Sequence, residues 1–284
     1  MLATLIVYFG IRQSKDDSYR YNYNANLNNN YNGNNQVTNQ DFGDQRAYQI
    51  VAYPGNSYAE WSYPSIQTTI PYAKTAPLPT GDHGYLWVGA TLSNGYFVQV
   101  GMSTSERVDA DGNMIWNYFW QVWDNNNTYL YGYEDYMTES DWDLNADNTF
   151  TLTCQNPDTG TWEFWVNQKT IGTASTGSCN MDLKNASVAW EVVTTKTPQD
   201  TLPTFGPFQI GTMEYWDGYS WLNVTNARLT YGYGLINEGT IADATSVCPP
   251  YGVAAAEDNS GFFTAGSTLS CLSPGELLWA WFPG

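Results

Sequence analysis

Two polar residues sit in rows that are otherwise apolar, and both belong to classes that do acid–base chemistry. In Phe97-Val98-Gln99-Val100-Gly101, strand alternation puts Gln99 on one face with Phe97 and Gly101. In Ala189-Trp190-Glu191-Val192-Val193, Glu191 shares a face with Ala189 and Val193. A carboxamide or carboxyl in such a row lowers stability unless something bonds it. Burial would raise the Glu191 pKa, and an amide hydrogen bond would favour its charged form. A carboxyl of that kind suits general-base work in acid; an edge-strand glutamate facing water is the plainer alternative.

Other chemistries lack their residues. His83 is the single histidine and lies in a Gly/Asp loop, so neither a Ser-His-Asp nor a Cys-His hydrolase is expected. With one histidine and no CxxC pair, no zinc site, other metal centre or cofactor is expected. Asp158-Thr159-Gly160 has the letters of an aspartic-protease signature, but that chemistry needs two such aspartates. Asn156-Pro157-Asp158-Thr159-Gly160 reads as a turn.

The elements that must position the two residues are strands. Aromatics make up 16% of the 284 residues and charged residues only 13%, a vocabulary of strands and turns. Trp87–Gly101 reads as a hairpin about Ser93-Asn94-Gly95, because Asn and Gly tolerate positive φ. Thr149–Cys154 and Thr161–Val166 form a second hairpin, Ser187–Thr194 another strand, and Val224–Tyr231 the last one. The aromatic stretch 115–123 puts Trp116, Tyr118, Trp120 and Val122 on one face and Asn117, Phe119, Gln121 and Trp123 on the other. One face can be core and the other a binding surface. Many short strands at close spacing predict an all-β antiparallel sandwich or barrel over residues 46–235. Residues 1–45 read as an Asn/Tyr-rich leader or propeptide-like segment. Within it, residues 1–10 suit either a signal-sequence remnant or a hydrophobic first strand or tail docking on the core. Residues 236–284 read as a C-terminal appendage packing on the sandwich.

The formal net charge is −18, which argues against nucleic acid and anionic membrane as partners. The oligomeric state is not legible. Few carboxylates must be protonated as pH falls, which fits an acidic surrounding. Cys154, Cys179, Cys248 and Cys271 suggest two local disulfides, Cys154–Cys179 and Cys248–Cys271, in a secreted or cell-surface protein.

Several blocks resemble the glutamic peptidases, or eqolisins, including their prokaryotic relatives. They are Ala59-Glu60-Trp61-Ser62-Tyr63-Pro64; Trp87-Val88-Gly89 with Phe97-Val98-Gln99-Val100-Gly101; Tyr118-Phe119-Trp120-Gln121-Val122-Trp123; and Ala189-Trp190-Glu191-Val192-Val193 with Leu202-Pro203-Thr204-Phe205-Gly206. The resemblance implies a concanavalin-like, jelly-roll-type sandwich and an acid endopeptidase. Glu191 would take a proton from the attacking water, Gln99 would donate to the oxyanion, and a polypeptide would be the substrate. Trp61, Trp120, Trp123 and Tyr131 are candidates to line the substrate cleft. The family writes Glu before Trp in its catalytic strand, whereas this chain writes Trp190 before Glu191. Aligned on glutamate, the dyad is intact. Aligned on tryptophan, Ala189 takes the catalytic place. A second function fits the same sandwich: a non-catalytic binding module, lectin-like or part of a surface assembly. Contact between Gln99 and Glu191 separates the two, since an enzyme needs both on one water.

Overall fold

The computed structural model describes residues 44–54, 64–125, 129–137, 147–197, 199–211, 213–224, 226–235, 240–243, 251–255, 263–267, 269 and 277–280. The fold is the expected all-β antiparallel sandwich. One sheet has nine strands. Its path runs β15 (Thr240–Asp243), β14 (Asn226–Leu235), β1 (Arg46–Pro54), β10 (Ala186–Thr194), β3 (His83–Thr91), β4 (Phe97–Ser103), β5 (Asn117–Trp123) and β6 (Tyr129–Tyr136), and β18 (Leu277–Ala280) pairs with β14. A six-stranded sheet runs β13 (Trp221–Asn223), β12 (Met213–Trp216), β2 (Ser65–Pro71), β7 (Asp147–Asn156), β8 (Thr161–Val166) and β9 (Lys169–Ser175). A small third sheet orders β11 (Phe208–Ile210), β17 (Phe263–Ser267) and β16 (Tyr251–Ala255).

Alternation divides each strand between two surroundings. On the nine-stranded sheet, Val88, Val100, Trp120, Val122, Val188 and Trp190 join Phe150, Leu152 and Phe164 of the six-stranded sheet in one buried core. The far face carries a second apolar cluster that includes Val51, Tyr85, Trp87, Phe97, Phe119, Trp123, Ala189 and Val193. The β3–β4 hairpin closes as its residue types require. Gly95 takes φ +87°, and its amide donates to the Leu92 carbonyl at 2.9 Å.

One expectation changes here. Val224–Tyr231 is not the last strand, because β15 to β18 follow β14. Tyr251, Val253, Phe263 and Ala265 belong to the main core. The pairing of Cys154 with Cys179 is present, whereas Cys248 and Cys271 lie outside the described residues, as do residues 1–43 of the leader.

Gly101 serves the sheet itself. A Cβ there would stand 2.1 Å from the Leu86 carbonyl oxygen and 2.7 Å from Trp87 Cα. Main chain in mid-sheet cannot step aside, so Gly101→Ala should cost about 3 kcal/mol, the upper end of ordinary overpacking. A shift of the urea midpoint measures it, and an unshifted midpoint would remove this account of the glycine.

Candidate functional site

The far face of the nine-stranded sheet gathers the polar groups. β10 lies between β1 and β3, and its register sets Glu191 directly opposite Gln49 on one side and Tyr85 on the other. Gln99, on β4, stands opposite Gly89 and Gln121. Gln99 and Glu191 therefore share a face, as alternation predicts, but they do not meet. Their partners on β3, Tyr85 and Gly89, are four residues apart, and two inter-strand steps separate the strands. Together these give roughly 16 Å between backbones. On β10 the residue in the row of Gln99 is Ser187, opposite Gly89, and Ala189, opposite Trp87, lies between Ser187 and Glu191. The expected Gln99–Glu191 dyad is thus corrected: strand register holds the two residues apart.

Each has a local partner on one side-chain atom, while Gln99 Oε1 has none among the described residues. Gln99 Nε2 donates to Gln121 Oε1 at 2.6 Å, and Gln99 is 1% exposed. Glu191, also 1% exposed, accepts the Trp87 indole N–H at Oε2 over 3.2 Å. Burial pushes the Glu191 carboxyl up to about 7, while the neighbouring Gln49 and Trp87 hydrogen bonds pull it the other way. Desolvation prevails, and the carboxyl holds its proton in acid. Neither Gln49 Oε1 nor Glu191 Oε1 has a hydrogen-bond partner among the described residues. Protonation turns Glu191 into a donor, and Gln49 Oε1 is a buried acceptor in need of one.

A second carboxyl lies on the same face. Glu134 of β6 stands opposite Phe119, accepts from Asn117 Nδ2 at 2.8 Å, and also accepts from Ser103 Oγ. Burial raises its pKa, and those two hydrogen bonds oppose the shift. Four inter-strand steps separate β6 from β10. At about 4.8 Å each, this exceeds the roughly 5–10 Å that paired carboxyls use in glycoside hydrolysis.

The aromatic candidates divide. Trp123 lies on the far face beside Phe97 and Phe119 and is 5% exposed. Trp120 is corrected: it points into the core, stacks on Phe164 with centroids 4.6 Å apart, and donates its indole N–H to the Ile171 carbonyl at 3.1 Å. Tyr131 pairs with Val122 in β6, its side chain lying outside the described residues, and Trp61 lies outside them altogether. Sequence reasoning passed over Gln49, although Ala47-Tyr48-Gln49-Ile50-Val51 is the same pattern of an amide in an apolar row. It also passed over Glu134, which follows no such row.

No family model and no curated protein matches the chain. Solved structures similar to it include scytalido-glutamic peptidase with a transition-state analogue inhibitor, at 9% identity and TM-score 0.38 over 78% of this chain and 98% of that one. A Bacillus licheniformis β-glucanase matches at 10% identity and TM-score 0.30, over 48% of this chain and 54% of its own. A family 16 endo-glucanase from Bacteroides ovatus matches at 13% identity and TM-score 0.32, over 62% of this chain and 80% of its own. These neighbours are β-sandwich hydrolases of two kinds, peptidase and glycosidase.

Proposed function

We propose that the chain is a non-catalytic β-sandwich binding module, extracytoplasmic and suited to acid surroundings. One observation carries this reading. The amide and the carboxyl that a glutamic-peptidase mechanism would place on one water are buried and bonded to different partners, Gln121 and Trp87. The Cys154–Cys179 bridge supports an oxidising compartment. No helix among the described residues is long and apolar enough to cross a membrane.

The direct test is incubation of the folded chain with an unfolded polypeptide at pH 3 to 4, read by mass spectrometry of the products. The expected result is no cleavage above background. A second reading has its own support, the cross-strand pairing of Glu191 with Gln49 and their two unpartnered oxygens. It makes the chain an acid peptide hydrolase working through Glu191 and Gln49. It requires cleavage that disappears in both Glu191→Gln and Gln49→Ala and survives Gln99→Ala. That outcome would overturn the binding-module proposal.

A further inference from the structure

The six-stranded sheet has an outer face that carries a polar row bracketed by indoles. Alternation turns Ile66, Ile70, Phe150, Leu152, Trp162 and Phe164 into the core. It leaves a polar row across the other side. Register places Glu214 of β12 opposite Gln67 of β2, Gln67 opposite Thr151 of β7, and Thr151 opposite Trp165 of β8. The row is tied together: Gln67 Nε2 donates to Glu214 Oε2 at 2.5 Å, and Thr151 Oγ1 donates to Gln67 Oε1 at 3.2 Å. Half-buried indoles bracket it. Trp165 ends one side, and on the other Trp216 and Trp221 form a cross-strand pair with centroids 5.7 Å apart at 61°. Beyond that pair the β12–β13 turn is fixed by Asp217 Oδ1, which accepts the amides of Tyr219 and Ser220 at 2.8 Å each. Tyr219 at its tip is 92% exposed.

We propose that this face binds a neutral glycan chain. The inference rests on the binding-module reading and names its ligand. Three inter-strand steps and two residues separate Trp216 from Trp165, roughly 16 Å, the reach of a short oligosaccharide. Indoles at both ends offer flat apolar faces for the C–H side of pyranose rings. The floor between them offers carboxylate, amide and hydroxyl groups that are already oriented, matching alternating sugar hydroxyls. The row is too polar for the apolar centre of a protein–protein interface. Glu214 within the row, and a net charge of −18, disfavour uronate or sulfated polymers and anionic lipid.

The test uses the full chain at pH 4 to 5. Its retention is measured on insoluble β-1,4-glucan, amylose and mannan, with polygalacturonate and zwitterionic lipid vesicles as competing surfaces. Tryptophan fluorescence is titrated with the matching oligosaccharides. Expected are retention on at least one neutral glycan, none on polygalacturonate, and at least tenfold weaker binding in Trp216→Ala/Trp221→Ala. Trp165→Ala on the opposite side should weaken binding as well, and it stands in if the paired variant fails to fold. Gln99→Ala should bind like the parent chain. Failure to bind any of the three neutral glycans, full affinity in the folded tryptophan variants, or preference for vesicles would each overturn the proposal. The cleavage assay is independent, so a chain that neither cuts nor binds sugar refutes the glycan ligand and leaves the module reading intact.

Discussion

As the pH rises from 4.5 to about 7, the folded chain should lose about 3 kcal/mol through Glu191 alone. The sign follows from where the proton is held. An unfolded glutamate releases its proton near 4.5, whereas the buried Glu191 keeps it to about 7. Between those values the folded state binds more protons than the unfolded one, so each increment of pH favours unfolding. Below 4.5 the full contribution is present, and above about 7 no more is lost. Glu134, raised by burial, acts in the same direction. His83 acts oppositely: burial lowers its pKa, so stability falls as the pH drops through its ordinary value of 6.5. The turn carboxylates of Asp109, Asp200 and Asp217 are held low by hydrogen bonds to Asn113, Thr197 and the amides of Tyr219 and Ser220 respectively, and they titrate below this window. Subtraction isolates Glu191. Urea unfolding of the parent and of Glu191→Gln at half-unit pH steps should give curves that converge in acid and diverge by about 3 kcal/mol near neutrality, with the variant the more stable. Parallel curves would mean that Glu191 is not desolvated in solution. The expected behaviour suits a chain that is most secure in acid, a property independent of catalysis.

Much of the architecture was legible because its signals are local. The Asn94-Gly95 turn marks the β3–β4 hairpin, and Asn156–Gly160 marks β7–β8. Period-two alternation put Gln99 and Glu191 on the proper side of their strands. It could not place them along the sheet, since their separation is set by the registers of β10 and β4 on β3, which neither segment encodes alone. Trp120 failed for a related reason. Both faces of β5 carry aromatics, and nothing in the alternation says which face meets the second sheet; that follows from Phe164 on β8. The strands after β14 were missed because they are short and rich in Ala, Gly and Ser. Their strand character comes from edges already built by β11 and β14.

Replacing both Cys154 and Cys179 by alanine should cost about 3–4 kcal/mol, the loop-closure entropy returned to the unfolded chain. The two residues are 25 apart in sequence, their Cα atoms are 5.8 Å apart, and both are buried at 2% and 1% exposure. Position adds a local consequence. Cys154 lies near the end of β7, and Cys179 sits in the segment leading into β10, the strand of Glu191. That segment is fastened on both sides: the Trp162 indole donates to the Ser178 carbonyl at 3.1 Å, and the Ser93 amide donates to the Asn180 carbonyl at 2.7 Å. The bridge thus joins the six-stranded sheet to the entry of a central strand of the nine-stranded one. Amides of residues 176–182 should lose hydrogen-exchange protection first in the double variant, before the β3–β4 hairpin does. The measurement is urea unfolding with exchange read by mass spectrometry, at the pH where Glu191 is protonated so that its titration does not intervene. A loss below about 1 kcal/mol, with exchange unchanged, would show that hydrogen bonds alone hold this junction.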